Sequence, residues 1–289
     1  MHSDESDPFA AHGLSRRAFL GGTLGVAAGA VLLGPAGVAA AKNRALSPLV
    51  LSSDLYASPD PQRFVFAMAK GANYASTGPA TVGFAAPGES RATMQPTRLL
   101  KTGLPKGRGI YVVDTVFPVA GVYRSVVETQ GKRVPFAVQV KSVAEAPRPG
   151  TAAPLAASPT PTATLGVNPI CTHVPPCPLH TVSLSDVIGT GRPVAVLFAT
   201  PALCQSQYCG PVLDQLLDAR GPYESRVTFV HVEIYDSNKG ATLSPTVEAW
   251  GLPSEPWLYT IAGDGTIVGR LDGAISTPEI TGALDQLVA

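Results

Sequence analysis

The chain reads Trp-Gly-Leu-Pro-Ser-Glu-Pro-Trp-Leu-Tyr-Thr-Ile over residues 250–261, and this passage decides the fold of its second half. Just upstream, Ser-Pro at 244–245 predicts a helix start, because serine favours the N-cap and proline fits the first helical position. Gly251 predicts the end of that helix, since glycine readily adopts a left-handed C-cap conformation. The apolar run at 257–261 predicts a strand, and Gly-Asp-Gly at 263–265 predicts the hairpin turn that follows it.

Strands and helices alternate through the rest of this half. Apolar runs predict strands, and a last helix carries apolar residues on one face at helical spacing. The predicted strands cover residues 194–199, 227–234 and 266–271, and the predicted helices cover residues 211–219 and begin again at Thr277. This order predicts an α/β domain over residues 169–289.

The passage at 250–265 resembles the thioredoxin superfamily, which has an aromatic residue, a glycine, a proline and then an apolar strand with a glycine turn. The resemblance places the family's cis-proline on Pro256, with Glu255 before it. Asp-Gly-Ala-Ile at 272–275 is similar to the family's ending, and Cys-Pro-Leu-His at 177–180 resembles the entry of its TlpA-like and peroxiredoxin-like branch. The similarity covers residues 177–289 and implies a thioredoxin-like fold.

The cysteines depart from the family's motif. Cys204 and Cys209 are separated by four residues, whereas the family's motif is Cys-x-x-Cys. Cys-Gly-Pro begins at Cys209, but Val212 stands where the second cysteine would be. Leu197 also occupies the strand position where thioredoxins have a buried acid, so the usual proton-transfer group is not expected there.

Cys209 directly precedes a predicted helix, whose unpaired N–H groups and positive dipole end favour a thiolate. We therefore expect Cys209 to be the nucleophile and Cys204 the resolving partner. Pro256 would hold an extended peptide by backbone pairing, and Glu255 would lie near the site. A permanent disulfide that pins the loop is the alternative interpretation of the same two cysteines.

Cys171 and Cys177 form a second pair in a proline-rich segment. No predicted helix follows them, so a local structural disulfide is expected; a second dithiol that passes electrons to the first pair is the alternative. His173 and His180 bracket this pair, and His231 lies in a predicted strand.

Two cysteines with a histidine on a thioredoxin fold resemble the Sco-type copper chaperones, and Cu(I) favours thiolates. That family has Cys-x3-Cys, however, and His231 alternates with valines as a core histidine does. The sequence therefore assigns no metal ligand and no cofactor, with copper binding as a less favoured alternative.

The first half predicts an all-β domain over residues 45–145. Residues 63–68 alternate with a period of two, and further runs of this kind are separated by Gly/Pro-rich turns, which is typical of a β-sandwich. Gly-Val-Tyr at 121–123 resembles the entry to a late strand of immunoglobulin-like domains. Residues 146–168 are rich in Pro, Ala and Thr, which predicts an extended linker with little buried surface.

Residues 1–41 resemble a twin-arginine export signal, with Arg16 and Arg17 before an apolar Gly/Ala-rich stretch and an Ala-x-Ala site ending at Ala41. The protein is therefore expected in the periplasm, in the cell envelope or secreted, without stable membrane insertion after the signal is removed. Its 21 basic and 21 acidic residues give no net charge and no reason to expect nucleic acid.

The sequence thus predicts thiol–disulfide exchange on exported proteins, with their thiols or a redox partner as the binding partners. A non-enzymatic envelope module with structural disulfides is the alternative, so the question of an oxidoreductase activity stays open at this point.

Overall fold

The computed structural model describes residues 45–71, 73–204 and 206–289. The expected export signal at residues 1–41 lies outside these ranges. Within them, no helix has both the length and the apolar character needed to cross a membrane.

Two antiparallel sheets make up the first half of the described chain. One has the order β1-β2-β7-β6, with β3 paired to β2, and the other has the order β5-β4-β8-β9. Their facing sides share one apolar core, in which the rings of Phe64 and Phe84 meet edge to face with centroids 4.9 Å apart. The strands are β1 Leu46–Val50, β2 Ser58–Lys70, β3 Asn73–Tyr74, β4 Ala80–Ala85, β5 Thr93–Pro96, β6 Arg98–Leu100, β7 Ile110–Phe117, β8 Gly121–Thr129 and β9 Lys132–Val140.

Strand β2 is buried on both faces, although its sequence pattern predicts only one buried face. Phe64 and Phe66 point into the core between the two sheets. Val65, on the other side of the strand, packs into a second core that belongs to the other half of the molecule. The sheet that contains β2 is therefore an inner layer.

The second half is built on a mixed sheet of order β11-β10-β12-β13. Strands β10 and β11 are parallel, while β12 is antiparallel to both β10 and β13. The elements are α1 Leu184–Val187, β10 Val194–Ala199, α2 Cys209–Ala219, a 3-10 turn Gly221–Tyr223, β11 Thr228–Glu233, α3 Pro245–Trp250, β12 Trp257–Ile261, β13 Ile267–Asp272 and α4 Thr277–Val288.

This sheet separates two apolar cores because successive side chains of a strand point to opposite faces. Val196 and Phe198 of β10 pack with Trp250 of α3 on one face. Leu197 packs on the opposite face, with α2 and α4. The expected caps of α3 are present: Ser244 occupies the N-cap, and Gly251 the C-cap with a φ of 61°.

The α2/α4 side of the mixed sheet rests on the outer face of β2 and β7. Val65 and Val112 share one apolar cluster with Leu213 and Leu216 of α2. At its rim, the Arg63 guanidinium donates to the carbonyl oxygens of Asp272 and Ala274 and to a Glu279 carboxylate oxygen. The two halves therefore share an apolar core and buried polar contacts.

The segment at 146–168 contains no helix or strand but is packed against the mixed sheet. The N–H groups of Gly150 and Ala153 donate to the carbonyls of Ile267 and Gly265, and Ala153 is buried. The Ser158 N–H donates to Ser183 Oγ. The expectation that this composition buries little surface is not met, because its small residues fit closely along the edge of a sheet that supplies hydrogen-bond partners.

Candidate functional site

Cys204 and Cys209 meet at the start of helix α2. Cys204 lies in the loop after β10, and Cys209 is the first residue of the helix. The two sulfurs and a carboxylate oxygen of Glu255 all lie within 4.8 Å of one another. The structure thus brings together three of the residues that the sequence analysis singled out.

The two thiols differ strongly in environment. Cys209 is fully buried, and this burial, followed by its hydrogen bond with Cys204, raises its pKa well above the ordinary value. Cys204 is only partly buried, and hydrogen bonds from the Cys209 thiol, the Ser206 hydroxyl and backbone N–H groups lower its pKa to about 6. Cys204 is therefore the thiolate of the pair near neutral pH.

This arrangement favours the opposite of the roles that the sequence analysis assigned, for a geometric reason. The free N–H groups of a helix N-terminus favour whichever sulfur they point at. The N–H of Cys209 lies 3.3 Å from Cys204 Sγ, so the first turn of α2 stabilises a negative charge on Cys204. Burial outweighs the helix dipole at Cys209 itself, because desolvation disfavours the charged form.

The Glu255–Pro256 peptide bond is cis, as the family resemblance implies. Glu255 is 8% exposed, and its negative charge contributes to the raised pKa of Cys209. Leu197 is buried in the apolar core, so the acid beside this dithiol comes from the loop before β12. Pro256 is buried, and its carbonyl accepts a hydrogen bond from the N–H of Gly273.

Residues of the β-sandwich reach this loop. Arg108 donates to the carbonyl of Ser206 at 3.3 Å and to the side-chain oxygen of Gln207. Its guanidinium also lies over the rings of Tyr74 and Tyr208, 4.8 and 5.6 Å from their centroids. The first half of the chain therefore helps to position the loop that carries Cys204, a contribution that the sequence alone does not reveal.

The other two cysteines belong to a separate buried group with two histidines. One donor atom from each of Cys171, Cys177, His180 and His231 lies within 4.8 Å of the other three. All four residues are at least nine-tenths buried. The Cys177 thiol shares its hydrogen with Cys171, which lowers the pKa of Cys171 and raises that of Cys177.

Backbone pairing at the sheet edge creates this group. Strand β11 is an edge strand, and the N–H of His231 donates to the carbonyl of Leu179 in the segment that carries Cys177 and His180. His173 lies elsewhere, with Nε2 2.8 Å from Asp214 Oδ1. The spacing of Cys171, Cys177 and His180 was the available sequence signal; the part played by His231 depends on tertiary structure.

All four cysteines are free thiols in this structure. Within each pair the sulfurs lie no more than 4.8 Å apart. The structural disulfide predicted for Cys171 and Cys177 remains a prediction about the oxidised protein.

Comparisons with known proteins find matches among solved structures. No family model matches the chain, and no curated protein matches it. Among solved structures, a Chlorobium tepidum protein assigned as a thiol:disulfide interchange protein DsbE aligns with 19% identity and a TM-score of 0.35. The alignment covers 49% of this chain and 95% of that protein.

Proposed function

We propose that this chain is an exported thiol–disulfide exchange protein with a thioredoxin-like second half and an immunoglobulin-like first half. The observation that carries the proposal is the pairing of a partly exposed, low-pKa Cys204 with a buried Cys209. A thiolate is the attacking species in disulfide exchange, so a thiol ionised at neutral pH next to a protected partner suits this chemistry.

In the proposed reaction, the Cys204 thiolate attacks a disulfide of an exported protein and releases one of its sulfurs as a thiolate. Cys209 then loses its proton and attacks Cys204 Sγ in the mixed disulfide. This step releases the second substrate sulfur and leaves a Cys204–Cys209 disulfide. Two electrons pass from the dithiol to the substrate, and the reverse sequence oxidises a substrate dithiol.

Glu255 is the proposed proton acceptor for Cys209. Its carboxylate lies within 4.8 Å of the Cys209 sulfur and is largely shielded from water. A buried, negatively charged carboxylate at this distance disfavours a second negative charge on the Cys209 sulfur. Once the carboxylate has accepted the thiol proton, that repulsion is removed. Cys209 therefore stays protonated until the second step.

Contacts from the first half of the chain lie next to the loop of Pro256, the residue expected to hold an extended peptide. Ser53 of the first half bonds to Ser254 and Asp272, next to the cis-proline loop. We therefore propose that substrate disulfides approach Cys204 from its exposed side.

Two single variants test the assignment. The reduced proteins are mixed with glutathione disulfide and the products are identified by mass spectrometry. Cys209→Ser is expected to accumulate a mixed disulfide on Cys204, because no resolving thiol remains. Cys204→Ser is expected to form none under the same conditions, because Cys209 is buried and protonated.

The opposite pattern would show that Cys209 attacks. Equal inertness of both variants would remove the exchange function and favour a non-enzymatic module. In the unmodified chain, the Cys204–Cys209 disulfide should equilibrate at a potential above about −300 mV, which separates exchange disulfides from structural ones.

A further inference from the structure

We propose that Cys171, Cys177, His180 and His231 form a mononuclear Zn²⁺ site, separate from the proposed exchange dithiol. Two thiols and two imidazoles are the ligand set of many four-coordinate structural zinc sites. All four side chains are buried and their donor atoms converge within 4.8 Å.

The three distances measured from His231 Nδ1 lie close to the edges of a tetrahedron around one ion. Zn–S bonds of about 2.3 Å and Zn–N bonds of about 2.0–2.1 Å give tetrahedral edges of about 3.3–3.8 Å. His231 Nδ1 lies 3.3 Å from Cys177 Sγ, 3.8 Å from Cys171 Sγ and 3.1 Å from His180 Nε2. The four atoms all lie within 4.8 Å of one another, too close to enclose a two-iron cluster, which can also use two cysteines and two histidines.

The hydrogen bond at the far side of His231 orients its ring for metal binding. His231 Nε2 lies 3.1 Å from the carbonyl oxygen of Ala199, which can only accept a hydrogen. Nε2 must therefore carry the proton, which leaves the lone pair of Nδ1 directed at the two sulfurs. A metal-bound histidine usually donates a hydrogen bond from its other ring nitrogen in this way, which fixes the orientation of the ring.

Charge balance favours Zn²⁺ over Cu(I). Two thiolates and two neutral imidazoles carry a charge of −2, so Zn²⁺ produces a neutral complex and Cu(I) a buried anion. A buried net charge is costly unless it is compensated, so the neutral complex is the favoured one.

Metal coordination would recruit both thiols and both imidazoles of this buried group into one set of bonds. His180 faces the group with Nε2, and its other ring nitrogen, Nδ1, has no hydrogen-bond partner among the described residues. Because its ligands come from the 171–180 segment and β11, bound Zn²⁺ would fasten that segment to the sheet edge.

Zinc titration of the full reduced chain tests the proposal. The chain is titrated with Zn²⁺ against a chromophoric chelator in a Cys204→Ser/Cys209→Ser background, which removes the other cysteine pair. One tightly bound equivalent is expected. Adding Cys177→Ser or His231→Gln should weaken binding by more than about 100-fold, beyond the 10–100-fold loss typical of outer supporting residues.

Co²⁺ substitution keeps the test decisive if a ligand variant fails to fold. In the same background, bound Co²⁺ should show the visible bands of a tetrahedral ion together with thiolate-to-cobalt charge transfer. Loss of stoichiometric binding in this background would overturn the proposal, and so would a six-coordinate cobalt spectrum without thiolate bands. Failure of the exchange function would leave these outcomes unchanged, since they do not involve Cys204.

Discussion

The local environment gives different pKa values to two residues of the same type, Cys204 and Cys209. Cys204 and Cys209 lie five positions apart, yet the first is partly exposed and the second is completely enclosed. The N–H at the start of α2 points at Cys204, and burial keeps Cys209 protonated. The reactivity of this site therefore depends on which sulfur accepts a hydrogen bond from the N–H at the start of the helix.

Alkylation of Cys204 should follow its low pKa. The rate with iodoacetamide should rise with pH as the thiolate forms and reach half its maximum near pH 6, because the pKa of this thiol is lowered to about 6. Below that pH the thiol is protonated and the rate should fall. Peptide mass spectrometry of the reduced protein over a pH series identifies the modified cysteine.

The urea-unfolded protein serves as the control for this titration, with a midpoint near the ordinary cysteine pKa of about 8.5. A folded-state midpoint for Cys204 close to that ordinary value would contradict the assignment of Cys204 as the stabilised thiolate.

The boundaries of some helices and strands are set by local sequence signals, whereas other elements depend on tertiary contacts. Helix α3 begins after the N-cap Ser244 and ends before the C-cap Gly251, where the sequence predicts both limits. Strand β10 also coincides with its apolar run at 194–199. Caps and apolar runs are local, so such boundaries can be predicted without knowing what the element packs against.

Gly251→Ala should destabilise the protein by about 1–2 kcal/mol, the cost of a left-handed conformation in an L-residue. Gly251 has a φ of 61°, and an added Cβ would lie 3.3 Å from the carbonyl oxygen of Glu145. Urea denaturation measures the change. Gly221→Ala is the matched control, because nothing lies within 4 Å of its Cβ position and its φ is not left-handed; it should change stability by less than about 0.5 kcal/mol.

If both glycine variants shifted the unfolding midpoint equally, the left-handed cap would not be the source of the effect.

The sequence does not predict features that arise between elements. Strands β5 and β6 are four and three residues long, and each is defined by its antiparallel pairing with a neighbouring strand, β4 or β7. The cluster at His231 requires the knowledge that the 177–180 segment lies along β11. The proposed dithiol roles depend on burial, and burial is set by packing that is remote in sequence.

On the scale of the whole molecule, the two halves are joined through buried polar groups as well as an apolar core. Arg63 and Glu279 form an ion pair at 2.7 Å with side chains only 9% and 7% exposed. On the same interface, Asp54 is fully buried, and its carboxylate accepts hydrogen bonds from Lys141 and Arg270. These contacts connect the first half to β13 and α4 of the second.

Arg63→Met should lower the free energy of unfolding by about 3–5 kcal/mol, because removing one partner of a buried ion pair leaves the other charge buried. The carbonyls of Asp272 and Ala274 would also lose their donor. Equilibrium urea denaturation at neutral pH measures this loss.

Arg98→Met is the matched control on the same sheet. Its pair with Asp114 is 61% exposed on both sides, and exposed pairs of this kind contribute about 0–1 kcal/mol. A loss at Arg63 no larger than that at Arg98 would show that the interface contributes little to stability.

Both tryptophans of the chain, Trp250 and Trp257, are fully buried in one core on the α3 side of the mixed sheet. The sandwich half therefore has no indole, and the tryptophan fluorescence of the protein, excited selectively, reports on the second half alone. Circular dichroism, in contrast, reports on the strands of both halves. Coincident unfolding curves from the two signals would mean that the two halves unfold together as one cooperative unit, joined by their shared core.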